Sequence, residues 1–112
     1  MKHLFLFFIL LLAMIPAFAQ SDKAESYMRE AEYYQKKAQG YQREADYYLN
    51  KAASYDNDAA YYLRRGDTDS ARLRQNWAKE AREKADMYLK WAREANDKAA
   101  MYLRWASDAL RR

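Results

Sequence analysis

The sequence predicts an all-α protein: two long helices folded into an antiparallel coiled-coil hairpin on an Ala/Tyr heptad seam, after a cleaved signal peptide. Three observations predict it. Ala24, Ala31, Ala38, Ala45, Ala52 and Ala59 fall seven apart, and Tyr27, Tyr34, Tyr41, Tyr48, Tyr55 and Tyr62 each follow one of them by three residues. Two apolar positions per heptad, three and four apart, form the seam of a coiled coil. The beat breaks once, between Ala59 and Ala71, and resumes through Ala78, Ala85, Ala92, Ala99 and Ala106. Ahead of all this stands an apolar run, Leu4 to Ile15.

The first element, residues 1–19, reads as a Sec-type signal peptide. Met1-Lys2-His3 supplies a positive start, and Ala17 and Ala19 form an A-x-A cleavage site, so the mature chain begins at Gln20. The apolar run is shorter than the ~20 residues a spanning helix needs, and Pro16 closes it. The expected location is therefore periplasmic or extracellular. All four Phe, both Ile and the single His leave with the signal. Without Lys2, 19 basic residues remain against 16 acidic, a net charge of +3. The chain has no cysteine, so neither disulfides nor lipid attachment at a lipobox can support it.

Residues 20–112 then form one hairpin: a helix over about 22–65, a turn over about 66–68 and a second helix over about 68–111. Both helical stretches are rich in Ala, Glu, Lys, Gln, Arg and Leu and lack proline, a strongly helix-forming composition. At 1.5 Å per residue each helix runs roughly 65 Å. Gly66 suits the left-handed residue after a helix C-terminus, Asp67 the N-cap of the next helix, and Asp69 its first turn. Arg111 and Arg112 place cations at the end of the second helix.

A twelve-residue step from Ala59 to Ala71 would break the seam of a continuous helix but not that of a hairpin. In an antiparallel pair, facing residues have a constant sum of positions. With a sum of 133, centred on Gly66 and Asp67, Tyr55 faces Ala78, Tyr48 faces Ala85 and Tyr41 faces Ala92. Ala45 likewise faces Tyr88, Ala31 faces Tyr102 and Ala52 faces Ala81. The register sets each tyrosine opposite an alanine and none opposite another tyrosine, the large-on-small pattern of closely spaced layers. Its one poor layer pairs Ala59 with Arg74 beside the turn.

A two-helix hairpin needs only this seam, and the chain carries more. Trp77, Trp91 and Trp105 recur every fourteen residues, as do Tyr33, Tyr47 and Tyr61. Tyr61 with Trp77, Tyr47 with Trp91 and Tyr33 with Trp105 all sum to 138, which predicts three Tyr/Trp levels on one flank. Between them fall Lys51 near Lys84, and Lys37 near Lys98. Like charges set opposite each other do not help folding, so these pairs mark the flank as a candidate binding or assembly face. Leu49, Leu63, Leu89, Leu103 and Leu110 occupy the opposite flank. Lysine stems could simply cover the rings; the face could bury against a second copy, a dimer being favoured, or another envelope protein; or it could meet a polymer, a glycan or a membrane interface.

Catalysis is not expected. The mature chain lacks His and Cys, so imidazole bases, thiol nucleophiles and ordinary metal sites have no ligands. The two glycines stand alone, which removes any phosphate-cradling loop. Carboxylates have cations at helical spacing, as in Glu32 with Lys36, Asp86 with Lys90 and Glu94 with Lys98. No cofactor is implied. Arg65-Gly66-Asp67 spells an integrin-recognition tripeptide at the predicted loop tip, but each of the three already has a structural role there. A net charge of +3 with export argues against nucleic acid as the partner. The alanine heptads resemble those of alanine-zipper envelope lipoproteins, though the lipobox cysteine of that class is missing. The leading expectation is thus an exported, non-enzymatic structural or protein-interaction module that self-associates; the alternative is a binder of an envelope polymer, glycan or membrane surface.

Overall fold

The computed structural model describes residues 22–111; the predicted signal peptide, residues 1–19, lies outside the described residues. The described chain is all-helical: α1 runs Asp22–Arg64 and α2 runs Thr68–Leu110, each of 43 residues, and the two pack against each other as a helical hairpin. α2 ends at Leu110, so Arg111 follows its last turn rather than lying within it.

The turn is built from its capping chemistry. Gly66 takes φ +78°, its N–H donates to the Leu63 carbonyl at 3.1 Å, and the Asp67 N–H donates to that of Tyr62 at 2.9 Å. These are the paired bonds of a Schellman motif, which satisfy carbonyls that the end of a helix leaves open. A Cβ on Gly66 would touch nothing within 4 Å, so its requirement is purely one of backbone conformation. Gly66→Ala is expected to cost about 1 kcal/mol in denaturant titration, and Gly66→Asn less, because asparagine tolerates the left-handed region. Equal stability of all three would show that the motif does not hold the turn.

α2 begins on Asp67. The Ser70 N–H donates to Asp67 Oδ1 at 3.1 Å and the Ser70 hydroxyl to Oδ2 at 2.7 Å, which makes Asp67 a side-chain N-cap. The hydroxyl first and the backbone N–H second hold its carboxyl below the ordinary 3.8. A lowered folded value means that the cap stabilises fully above the ordinary value and loses that contribution as pH falls through the folded one. Asp67→Asn keeps an acceptor for Ser70 and should match the parent at neutral pH, while losing less stability between pH ~5 and ~3. Thermal midpoints across that range check it; identical acid slopes would remove Asp67 from the account.

Alanine alone makes the core. Every seam alanine named from the sequence is buried, and among the described residues no large side chain is fully buried. Alanine carries no χ1 cost in a helix and lets backbones approach closely, toward the short end of the ~8–10 Å range of helix separations. The eight seam tyrosines are too large to lie between helices so close, and all are half-buried. Gln35 is the one buried polar side chain among the described residues, and its Nε2 finds no acceptor. Leaving such a donor unmade costs on the order of 1–3 kcal/mol.

The chain divides into two compact units, one of Gln39–Ala92 and the other of the segments before and after it. Within Gln39–Ala92, Ala52, Ala78 and Ala81 form one buried cluster, with Tyr48 and Tyr55 packed against it. On the flank away from the tryptophans, Arg82 donates to Asp56 at 2.8 Å, a half-exposed pair of modest value.

Candidate functional site

The rings are where the structure departs from the predicted register. The register sets Tyr88 opposite Ala45, but the Tyr88 ring meets other rings. It stacks on Tyr48 with centroids 5.8 Å apart and planes 8° from parallel, and tilts against Tyr41 at 6.2 Å. The expectation that no tyrosine meets another is therefore corrected. Successive layers are about 5 Å apart along a helix, and aromatic rings attract at 4.5–7 Å between centroids. A ring thus spans two layers, while a facing rule counts one.

Trp91 completes this cluster, edge-on to Tyr88 at 5.4 Å and tilted on Tyr41 at 5.6 Å. Tyr47 joins from outside, edge-on to Tyr48 at 5.1 Å. The tryptophans consequently sit on seam tyrosines, and among the described residues no ring contact joins them to Tyr33, Tyr47 or Tyr61. The outer tyrosines lean on their own chain neighbours: Tyr33 on Tyr34, Tyr47 on Tyr48 and Tyr61 on Tyr62, at 5.1, 5.1 and 5.4 Å.

The other unit contains the same five-ring arrangement shifted by fourteen residues. Tyr34 stacks on Tyr102 at 5.8 Å and 8°, and Trp105 is edge-on to Tyr102 at 5.3 Å and to Tyr27 at 5.7 Å. Near the turn a shortened version replaces the tyrosine with Arg74, whose guanidinium lies over Tyr62 at 5.3 Å and over Trp77 at 4.5 Å. The poor layer of the predicted register is thus filled by a planar cation stacked on aromatics. Trp77 also meets Tyr55 at 5.6 Å.

Each lysine of the predicted face rests on a ring. Lys37 lies over Tyr33 at 5.4 Å, Lys51 over Tyr47 at 5.3 Å, Lys84 over Tyr48 at 5.4 Å and Lys98 over Tyr34 at 5.2 Å. Arg65 covers Tyr61 in the same way and donates to its hydroxyl. The lysine pairs therefore do help folding, each ammonium covering one ring of an edge-on tyrosine pair, at about 0.5–1 kcal/mol per exposed contact. A hydrogen bond to Tyr47, with smaller effects of the neighbouring tyrosines, holds Lys51 above its ordinary 10.5. Of the predicted helical ion pairs, Glu32 and Lys36 meet at 3.3 Å, whereas Lys98 turns to Tyr34.

What stays uncovered is the outer surface. Tyr33 and Tyr47 are each 52% exposed, Tyr61 44%, and the three tryptophans 37–41%. Leu49 and Leu63 are exposed on the opposite flank.

A hollow interrupts the ring flank within Gln39–Ala92. Position 81 is alanine where positions 88 and 102 carry rings, so a groove of about 210 Å³ opens over Ala81. Tyr48, Tyr55 and Trp77 wall it, Lys51 and Lys84 border it, and Glu80 is its one carboxylate. The sequence offered a signal for this hollow, the alternation Arg74, Ala81, Tyr88, Ala95, Tyr102, but only side-chain reach decides which layers fill. No grouping of metal-ligating side chains occurs among the described residues, and no described helix is long and apolar enough to cross a membrane. Comparison with known protein families, with curated proteins and with solved structures finds no match.

Proposed function

We propose that this chain is an exported, non-enzymatic interaction module that self-associates, a homodimer being the favoured assembly, through its exposed ring flank. The observation that carries this reading is the inverted distribution of side chains: alanines fill the interior, while the tryptophans and the outer tyrosines lie outside, 37–52% exposed. Half-exposed aromatics repeated along one flank are the composition of an unfilled protein interface, where Tyr and Trp supply large contact area.

The outer tyrosines supply the cleanest test, because each leans only on its neighbour and a cation, whereas the tryptophans hold the seam. Replacing Tyr33, Tyr47 and Tyr61 together by glutamine is expected to keep helicity and to convert an associated species to monomer in sedimentation equilibrium. A parent already monomeric at high concentration, or a variant that associates as well as the parent, would defeat the reading.

The groove over Ala81 favours a second reading: the Tyr/Trp/Lys flank, with Tyr33, Tyr47, Tyr61, Trp77, Trp91, Trp105, Lys37, Lys51, Lys84 and Lys98, binds an envelope polymer, a glycan or a membrane surface. Neither reading calls on a cofactor or a metal, and neither uses Arg65-Gly66-Asp67 as an integrin ligand, since Gly66 and Asp67 are committed to the turn.

A further inference from the structure

We propose that the groove over Ala81 is a subsite for one unit of an acidic glycan, a sugar ring that carries a carboxylate. The inference rests on the second reading above and names its ligand.

Three features of the groove point to that chemistry. The first is its walls. Trp77, Tyr48 and Tyr55 present aromatic surface around an alanine floor, which suits the C–H-rich face of a pyranose, a flat and weakly polar body. About 210 Å³ is below the ~300–1,000 Å³ of sites that enclose a drug-sized ligand, and matches a single ring rather than a folded peptide segment.

The second is the mixture of charge at the rim. Lys51 and Lys84 are both exposed and together supply ammonium donors, and an ammonium can give up to three hydrogen bonds. Glu80 adds an exposed acceptor that forms no ion pair among the described residues. A purely anionic ligand, such as a polyglutamate or a polyphosphate, would be repelled by Glu80 on the same rim as the lysines. A hydroxylated ring with one carboxylate satisfies all three: its charge meets the lysines, and a hydroxyl donates to Glu80.

The third is repetition. Lys51 recurs fourteen residues earlier as Lys37, and Trp77, Glu80 and Lys84 recur fourteen later as Trp91, Glu94 and Lys98, with the remaining lining residues repeating identically. A sequence that repeats the whole set at one period suits a ligand that itself repeats, as a polysaccharide does.

Titration calorimetry of the purified protein with oligogalacturonate, malto-oligosaccharide and poly-L-glutamate tests the proposal. Saturable binding of oligogalacturonate with weak or absent binding of the other two supports it. Lys51→Gln with Lys84→Gln should weaken that binding at least tenfold, since the pair supplies the charge-assisted bonds. Glu80→Ala should weaken it about fivefold through the lost acceptor, although the substitution raises the net positive charge. All three positions are exposed, and unchanged helical circular dichroism establishes that the variants fold.

Poly-L-glutamate bound as tightly as oligogalacturonate would overturn the proposal in favour of a bare cationic patch, and so would tighter binding by Glu80→Ala. Malto-oligosaccharide bound equally well would overturn the acidic-sugar assignment while sparing glycan binding. No binding by any of the three would end both the proposal and the second reading, and would leave self-association standing on its own measurement.

Discussion

Tyr88→Ala is expected to destabilise the hairpin by about 3 kcal/mol, the largest loss of any single ring truncation in Gln39–Ala92. Tyr88 touches three other rings: Tyr48 stacked, Tyr41 tilted and Trp91 edge-on. Each such contact is worth about 0.5–1.5 kcal/mol beyond the area it covers, and the lost half-buried area adds to that. Tyr47→Ala removes one ring contact from a side chain 52% exposed, and should cost about 1 kcal/mol or less. Tyr88→Phe keeps the rings in place and should cost little. Denaturant titration of the three variants checks the order. If Tyr47→Ala cost as much as Tyr88→Ala, the rings would not hold the helices together in the hierarchy described.

Ala78→Leu is expected to cost about 3 kcal/mol, the upper end of the range for overpacked cores. Ala78 is fully buried and lies in the cluster with Ala52 and Ala81. A leucine there has no void to enter, so the helices must separate. Separation in turn stretches ring contacts that depend on close approach, Tyr55 with Trp77 above all. The exposed Ala53 on the other helix provides the control: Ala53→Leu should change stability by less than about 0.5 kcal/mol. An Ala78→Leu hairpin as stable as its parent would mean that alanine is not setting the helix separation.

These two expectations locate what was legible in the residues and what was not. Heptad alanines, Gly66 and Asp67 encode the helices and the turn, because each of those depends on short-range geometry: periodicity along one helix and the cap at its end. The ring flank was legible only as a list of residues. All ten predicted face residues carry ring or cation contacts, yet the partners differ from those that facing positions imply. Tryptophans belong to the seam tyrosines, lysines to the tyrosine faces, and Arg74 to the place of a ring. Ring size is the cause. A side chain that spans two layers chooses its partner by reach and by plane, and neither quantity is contained in a sum of positions.

Sequence alone therefore determined that two alanine-seamed helices pair antiparallel about Gly66, since alanine spacing and capping chemistry leave one alignment that keeps apolar positions together. The tertiary structure alone decided that the tyrosines stack on one another outside that seam and that a hollow opens over Ala81. Helices held as close as alanine allows have no room between them for a ring, so every ring is displaced to the surface, where its neighbours are set by three-dimensional reach.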